Sequence, residues 1–544
     1  MLHYIFALPQ RKHPWDISPV WWIALLFFLS GLAFLRKTGI HFDASYELAS
    51  FYKCCTPAFR PSVFGQPVPV MILPYLGALK AWLYYPLLRY LEVTPTVLRL
   101  PVLLVGTVSV VLFFALLDRT IGRRGAIAGA LLLETDAVFL IATTYDFGPV
   151  ALLHCFLLAG LVLLAGFERK PDTWRLALAF FIFGLALWNK ALFVWMFNGT
   201  VVAAAIVFPR RIWSLVTPKR VLVAAGAMIL GALPLIYYNV QTGGETLRTR
   251  DVMSANAPLS QKVLMLGKTM SGNVLFGWMT EEAQPKTNAV PTKAAARISV
   301  AIGRLFHGRM RWNLLFYAFL ASCCLLPWLW FSKYRTAALF VAIYLAVTWA
   351  QMIVLPNTGA TMHHVLLLWP FPHFLMAIAI ARTADGLGRR GPWIANSVLA
   401  VLLCSNLLLE NQYYADLMTR GTTAIWTDAI YPLSTYLDSL GRRAIVTDWG
   451  YSTTLCLLSD GAIPYMDISY QLLGQPDPTW LRSLMDDPRN VFVEHAAGSV
   501  QFTLAQDHFE AVAAAAHRSR QVLSVIRDRN QRPRFEIVRY PGAP

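Results

Sequence analysis

Carboxylates, cations and imidazoles stand in this chain at the edges of long apolar runs, the places where proton transfer or phosphate binding at a membrane would need them. The segment HFDASYELAS sets Asp43 and Glu47 four residues apart, on one face of a helix if 43–53 is helical. Asp43 there serves either as a general base whose neighbours set its pKa, or as a solvated helix cap. TTYDFGPV brings Asp146 to the mouth of another apolar run, with the same two readings. Lys190 interrupts a stretch otherwise apolar from 176 to 208. It suits a phosphate or pyrophosphate at head-group level, and equally a lysine snorkelling to the interface. Arg99, Arg248 and Arg250 are candidates to complete a cationic clamp. The pair His363-His364 can hydrogen-bond a substrate, ligate a metal or shuttle a proton. Two adjacent histidines do not make a metal site, so no metal ligands are assigned and a divalent cation stays an open alternative. Glu134 and Asp136 lie inside an apolar run, where ionisable groups are costly and face a cavity or a partner.

The elements that must position these residues are membrane spans. Apolar runs near 19–35, 99–117, 125–142, 149–167, 175–189, 191–208, 220–238, 313–331, 337–354, 364–381 and 392–409 are each long enough, or nearly so, to cross a hydrocarbon core at about 1.5 Å per residue. The joints alternate. Turns carrying Arg119, Arg123 and Arg124, then Arg169, Lys170 and Arg175, then Arg210, Arg211, Lys219 and Arg220 are basic, and so are those with Lys333 and Arg335 and with Arg382, Arg389 and Arg390. The turns near 143–148 and 355–363 hold no Lys or Arg, and Lys190 is alone in its turn. Cytoplasmic loops concentrate Lys and Arg, so eleven crossings put Asp43, Asp146, Lys190 and the histidine pair outside together. Residues 70–91 are apolar but carry Pro74, Lys80, Pro86 and Arg89. As a crossing they would invert every later loop; as one or two interfacial helices, with Trp82, Tyr84 and Tyr85 at head-group depth, they do not.

The expected architecture is therefore an all-α polytopic bundle over 1–409, with outer loops at 37–98 and 239–312. A small outward-facing α/β domain follows over 410–544. In that domain RRAIVTD (442–448), NVFVEH (490–495) and FEIVRY (535–540) read as strands, with a helix near 507–520. Arg11 and Lys12 precede the first run with no small-residue cleavage site, which predicts an uncleaved anchor and a cytoplasmic N-terminus.

Composition agrees. Of 544 residues 56% are hydrophobic and 14% charged, against about 25% charged in soluble chains, and the mean hydropathy is +0.50. The formal charge of +17 follows from basic residues where spans meet anionic lipid, not from nucleic-acid binding. Of seven cysteines, Cys155, Cys323, Cys324 and Cys404 fall in apolar spans; Cys54, Cys55 and Cys456 face outward, their pairing open.

In order along the chain come FDASYE, the proline-marked QPVPVMILPYLGALKAWL, Arg99-Leu100-Pro101, DFGPVALLH, GLALWNK and LPLIYYNVQTGGETL. This series resembles the GT-C superfamily of integral-membrane glycosyltransferases, in the branch of protein O-mannosyltransferases and aminoarabinose transferases. The likeness covers 18 to about 250 well and 355–381 more loosely. Two departures stand out: the family commonly has an Asp-Glu pair where this chain has Asp43-Ala44, and the aminoarabinose branch carries a lysine before its proline stretch, near Gln66. The resemblance implies transfer of a hexose or pentose, with inversion, from a polyprenyl-phosphate donor to a lipid, glycan or protein acceptor at the outer face of a bacterial inner membrane. The C-terminal domain would then be periplasmic. Asp43 would be the base, Asp146 an orienting group, and Lys190 and Arg99 the phosphate ligands. Competing readings are a lipid or solute transporter or flippase, whose ionisable groups gather at the bilayer midplane, and a structural assembly subunit.

Overall fold

The computed structural model describes residues 18–248, 257–283, 291–356 and 358–542. Each apolar run expected to span a membrane falls on a helix or on a pair of helices joined at a bend. By length and composition five helices suffice to cross a bilayer, or up to eight if each bent pair is one span, and three shorter apolar helices accompany them. The elements that matter for the site are α1 (Pro19–Phe34), α2 (Phe42–Leu48), α3 (Leu79–Tyr90), α4 (Pro95–Ile121), α5 (Arg123–Glu134), α6 (Ala137–Tyr145), α7 (Ala151–Arg169), α8 (Thr173–Asn189) and α9 (Phe193–Val207).

Local chemistry sets where these helices begin and end. The α4 helix opens with Pro95 in its first turn, and the Thr94 hydroxyl accepts the Val97 amide. The break between α5 and α6, a bend of 61°, falls at Thr135-Asp136. Asp136 caps α6 by accepting from the Val138 and Phe139 amides, and its other oxygen accepts the Trp369 indole N–H at 2.6 Å. The carboxylate that the sequence put inside a span is thus fully bonded within the bundle.

The basic turns meet at one end: Arg124 and Lys333 both pair with Asp385, and Arg211 with Glu168. At the other end lie the loop between α1 and α4, the α6–α7 and α8–α9 turns, and the segment before Met362. Residues 70–91 do not thread the bundle. A short hairpin, Met71–Leu73 against Leu76–Gly77, leads into α3, so there is one helix here. Trp82 and Tyr85 are exposed as expected, but Tyr84 is buried, because its hydroxyl donates to the Leu98 carbonyl of α4 at 2.6 Å. A Cβ on Gly77 would meet the Trp188 carbonyl at 1.9 Å, so only glycine lets the hairpin close on the end of α8.

The helix Gly391–Arg420 carries the chain past residue 409, where the composition changes, into the C-terminal domain. Its five-stranded sheet runs in the order 465–467, 443–446, 490–495, 533–539, 521–527. The strands at 443–446, 490–495 and 533–539 correspond to those expected; the two at the edges were not foreseen. The first three pair in parallel and the last two pairings are antiparallel. Side chains alternate between the two faces: Val491, Val493 and Ile537 pack on one, Phe492 and Val538 on the other. The expected helix near 507–520 is Thr503–Ala515.

This domain is bound tightly to the loops beneath it. A disulfide joins Cys54 to Cys456. Ser45 Oγ lies 2.9 and 2.8 Å from the hydroxyls of Thr453 and Thr454. Tyr465 donates to the Cys54 carbonyl and Tyr52 to Asp460, each at 2.8 Å. Buried Arg534 bonds Asp528, the Thr422 carbonyl and Glu281 from the loop after residue 257.

Candidate active site

The chain leaving α1 is anchored by Arg99. Its guanidinium donates to the carbonyls of Leu35, Thr38 and Gly39 and to the Thr38 hydroxyl, and lies 4.4 Å from the Tyr145 ring. Those carbonyls use its donors, and it does not line the cavity described below: the structure engages Arg99, expected as a phosphate ligand, with the turn after α1. The anchored turn delivers His41, which caps α2 by accepting the Asp43 amide on Nδ1 at 3.2 Å and stacks on Trp426 at 4.5 Å. Burial lowers the His41 pKa against the opposing pull of Asp43. Its neutral form is the one that can accept the amide, so the 3.7 Å approach to the Asp43 carboxylate is not an ion pair. Asp43 itself stands in the first turn of α2, its side chain 43% exposed.

One turn further on, Glu47 is buried, and its partner is Lys80 of α3 at 3.3 Å. The same ammonium reaches Asp146 at 2.7 Å. Asp146 ends α6 with a left-handed backbone, φ 48°, and its Oδ1 accepts the Ala151 amide at the start of α7. The helix-capping role weighed for Asp146 is therefore present, at both neighbouring helices, together with an ion pair. Burial pushes the Glu47 carboxyl up to about 7, with Lys80 pulling the other way. Burial alone would lower Lys80, but Asp146 and Glu47 reverse this and its pKa is raised. Lys80 gave no signal as a site residue in the sequence. It showed only as a charge out of place in an apolar stretch, which is the mark of a buried partner.

Lys190 follows the end of α8 in extended backbone, bridged to Leu76 of the hairpin. Its Nζ donates to the Gly148 carbonyl at 2.8 Å. Burial lowers its pKa to about 8, with Asp43, Asp146 and Glu47 opposing the fall. Gly148 has φ +70°, and a Cβ there would meet His363 Cβ at 2.5 Å, so the turn after Asp146 packs directly under that imidazole. His363 stands edge-on to Phe147 at 5.2 Å, and its Nδ1 is buried with no hydrogen-bond partner among the described residues. His364 is turned away, with Nδ1 bonded to Thr361 Oγ1 at 2.9 Å.

These groups surround a cavity of about 670 Å³, within the ~300–1,000 Å³ typical of small-ligand sites. Asp43, Lys190 and His363 line it. Asp146 and Glu47 stand behind, on the Lys80 side, and Asp146 with Arg99 borders a separate void of about 20 Å³. Of the remaining candidates, Arg248 is exposed at the end of the short helix Glu245–Arg248 and is not in the lining; Arg250 lies outside the described residues. Among the described residues no three His, Cys, Asp or Glu side chains group as a metal site. The opposite wall comes from the C-terminal domain, through Trp449, Ser452, Thr453, Tyr465, Asp467 and Tyr470. Sequence reasoning missed this wall, since nothing local to 449–470 says which loop it will cover.

Residues 76–238 match the family model described as dolichyl-phosphate-mannose-protein mannosyltransferase. A comparison with curated proteins finds no match. Among solved structures, ArnT from Cupriavidus metallidurans bound to undecaprenyl phosphate superposes with a TM-score of 0.56 at 13% identity, covering 96% of this chain and 98% of that one. Its apo state gives 0.57 at the same identity. The apo oligosaccharyltransferase of Archaeoglobus fulgidus gives 0.50 at 11% identity, covering 89% and 70%. The chain thus shares the fold of ArnT over nearly its whole length, and its residues 76–238 match the mannosyltransferase family model.

Removing one member of a buried charge cluster leaves the others uncompensated, typically at a cost of about 3–5 kcal/mol. Lys80→Met should therefore lower the thermal unfolding midpoint in detergent markedly, and adding Glu47→Gln should recover part of the loss. Equal midpoints for wild type and Lys80→Met would show that the triad does not hold the loop.

Proposed function

We propose that this chain, built on the GT-C fold, is an inverting glycosyltransferase that moves a sugar from a polyprenyl-phosphate donor to an acceptor hydroxyl at the outer, periplasmic face of the membrane. The observation that carries the reading is the shared cavity: Asp43 and Lys190, from turns far apart in sequence, line one space at the loop end of an apolar bundle. The ArnT structure with undecaprenyl phosphate, and the family model named for a dolichyl-phosphate donor, support the same donor class.

In this reading Asp43 accepts the proton of the acceptor hydroxyl as its oxygen attacks the anomeric carbon. The bond from that carbon to the phosphate oxygen breaks, releasing the polyprenyl phosphate. The donor phosphate is a diester with one negative charge and leaves as a monoester with a second charge developing. A cation at that oxygen therefore binds the transition state more strongly than the ground state, which is what lowers a barrier. Lys190 is the only Lys or Arg among the described residues lining the cavity, and it is the group assigned to that task. His363 lies on the same side with an unused ring nitrogen. Asp146 and Glu47 act indirectly, by holding Lys80 and with it the start of α2. A transporter reading finds less support, because the carboxylate Asp136 inside the bundle is bonded by α6 and Trp369, and the cavity opens at the loop end.

A positioned general base contributes about 10²–10⁴-fold. Asp43→Asn should reduce sugar transfer in membranes supplied with polyprenyl-phosphate sugar by that factor without lowering expression; transfer at the wild-type rate would remove Asp43 as the base. Lys190 carries its proton below about pH 8 and loses it above. The diester donor does not titrate there, so apparent donor affinity should be level below pH 8 and weaken above it. Lys190→Arg should extend the level region upward, and an unchanged profile in that variant would contradict the assignment.

A further inference from the structure

We infer that the acceptor is a neutral carbohydrate, held on the wall that the C-terminal domain presents to the cavity. This rests on the reading of that cavity as the transfer site and names the substrate class on its second side.

The two sides differ in charge and surface. Lys190 and His363 stand on the bundle side, with the Gly148 turn. The domain side, from Trp449 to Gln471, brings no Lys or Arg to the lining and one carboxylate, Asp467. Asp43 adds a second. A phosphorylated or acidic acceptor would place its charge against two carboxylates with the single cation already engaged by the donor, an uncompensated arrangement of the kind sites avoid. A neutral polyol meets no such penalty, because its hydroxyls donate to carboxylates and amides. Its C–H faces fit the negative faces of aromatic rings.

The wall supplies those groups on a rigid frame. Tyr470 is 59% exposed at the rim and stands edge-on to Phe502 at 5.7 Å. Trp449 is half-buried between the same Phe502, at 6.3 Å, and Phe42 at 5.1 Å. Its backbone amide is fixed by Asp448 Oδ1. Asp467 is held in place by its Oδ1, which accepts the Ser469 amide and hydroxyl at 3.0 and 2.6 Å. Exposed Gln471 adds an amide that both donates and accepts. An exposed tyrosine on a braced aromatic support beside a fixed carboxylate is a surface that recognises a sugar ring from its face and its edge at once. Ser45 and the Cys54–Cys456 disulfide hold this wall at a set distance from Asp43, so the acceptor it binds is presented to the base.

The test uses the full chain in lipid nanodiscs and saturation-transfer NMR. The probes are neutral gluco-, manno-, galacto- and arabino-oligosaccharides, glucose 6-phosphate, and a tri-lysine peptide, with undecaprenyl phosphate binding measured on the same preparation. At least one neutral oligosaccharide should bind. Tyr470→Ala and Asp467→Asn, both at the rim and outside the core, should each weaken it about three- to tenfold. Both variants should keep undecaprenyl phosphate binding, whereas Lys190→Ala should weaken it and leave the sugar signal. Binding of the phosphorylated or lysine probe in preference to every neutral sugar would overturn the inference. So would no sugar binding, or sugar binding untouched by both variants. Sugar binding without undecaprenyl phosphate binding would instead sink the donor reading and leave the glycan wall standing.

Discussion

The site depends on one buried cation. Lys80 lies between Glu47 and Asp146, all three nearly inaccessible to water, and it ties the helix that carries Asp43 to the α6–α7 turn and to the amphipathic helix of the first loop. Charges removed from water cost several kcal/mol each unless geometry repays them, so few arrangements of these segments are tolerated. The one adopted puts Asp43 a single helical turn from Glu47, on a helix whose start is independently fixed by His41 and by the carbonyls gathered at Arg99. The base proposed here, whose position must be reproducible, gains from such over-determination.

The second constraint is the lid formed by the C-terminal domain. Its sheet is an ordinary mixed sheet, but the loops after its first two strands lie over the membrane-proximal loop, and hydrogen bonds, a disulfide and the Arg534 cluster hold them there. The cavity exists only because two units that fold by different rules meet: an apolar bundle whose polar turns cluster at one end, and a mixed α/β domain whose edge supplies aromatic rings. This division matches the chemistry proposed, with the phosphate handled on the membrane side and the hydroxyl-bearing partner on the soluble side.

Much of this could be read from the residues. The apolar runs and the alternation of arginine-rich turns are strong signals because burying charge in lipid is so costly; they imply that Asp43, Asp146, Lys190 and His363 share one end, and in the structure Asp43, Lys190 and His363 line one cavity with Asp146 behind it. For the same reason residues 70–91 read as non-crossing, and in the structure they form a hairpin and one helix. Roles were harder. Arg99 looked like a phosphate ligand from its place at the head of a span, yet its donors are taken by backbone carbonyls that no pattern reveals. Lys80 looked like a defect and is the centre of the cluster. Trp449, Asp467 and Tyr470 carry no signal, since they reach the cavity only by docking across some 400 residues of chain, as the Cys54–Cys456 separation of 402 illustrates. Pairing of like with like over such distances is set by tertiary packing, which local periodicity does not encode.

The most direct measurement is an experimental structure of the full chain with undecaprenyl phosphate. The account predicts density for the phosphate inside the cavity, within hydrogen-bond reach of Lys190 Nζ, with the lipid tail leaving between helices toward the bilayer and Asp43 facing the phosphate across open space. A phosphate bound elsewhere, with Lys190 still bonded only to the Gly148 carbonyl, would contradict it.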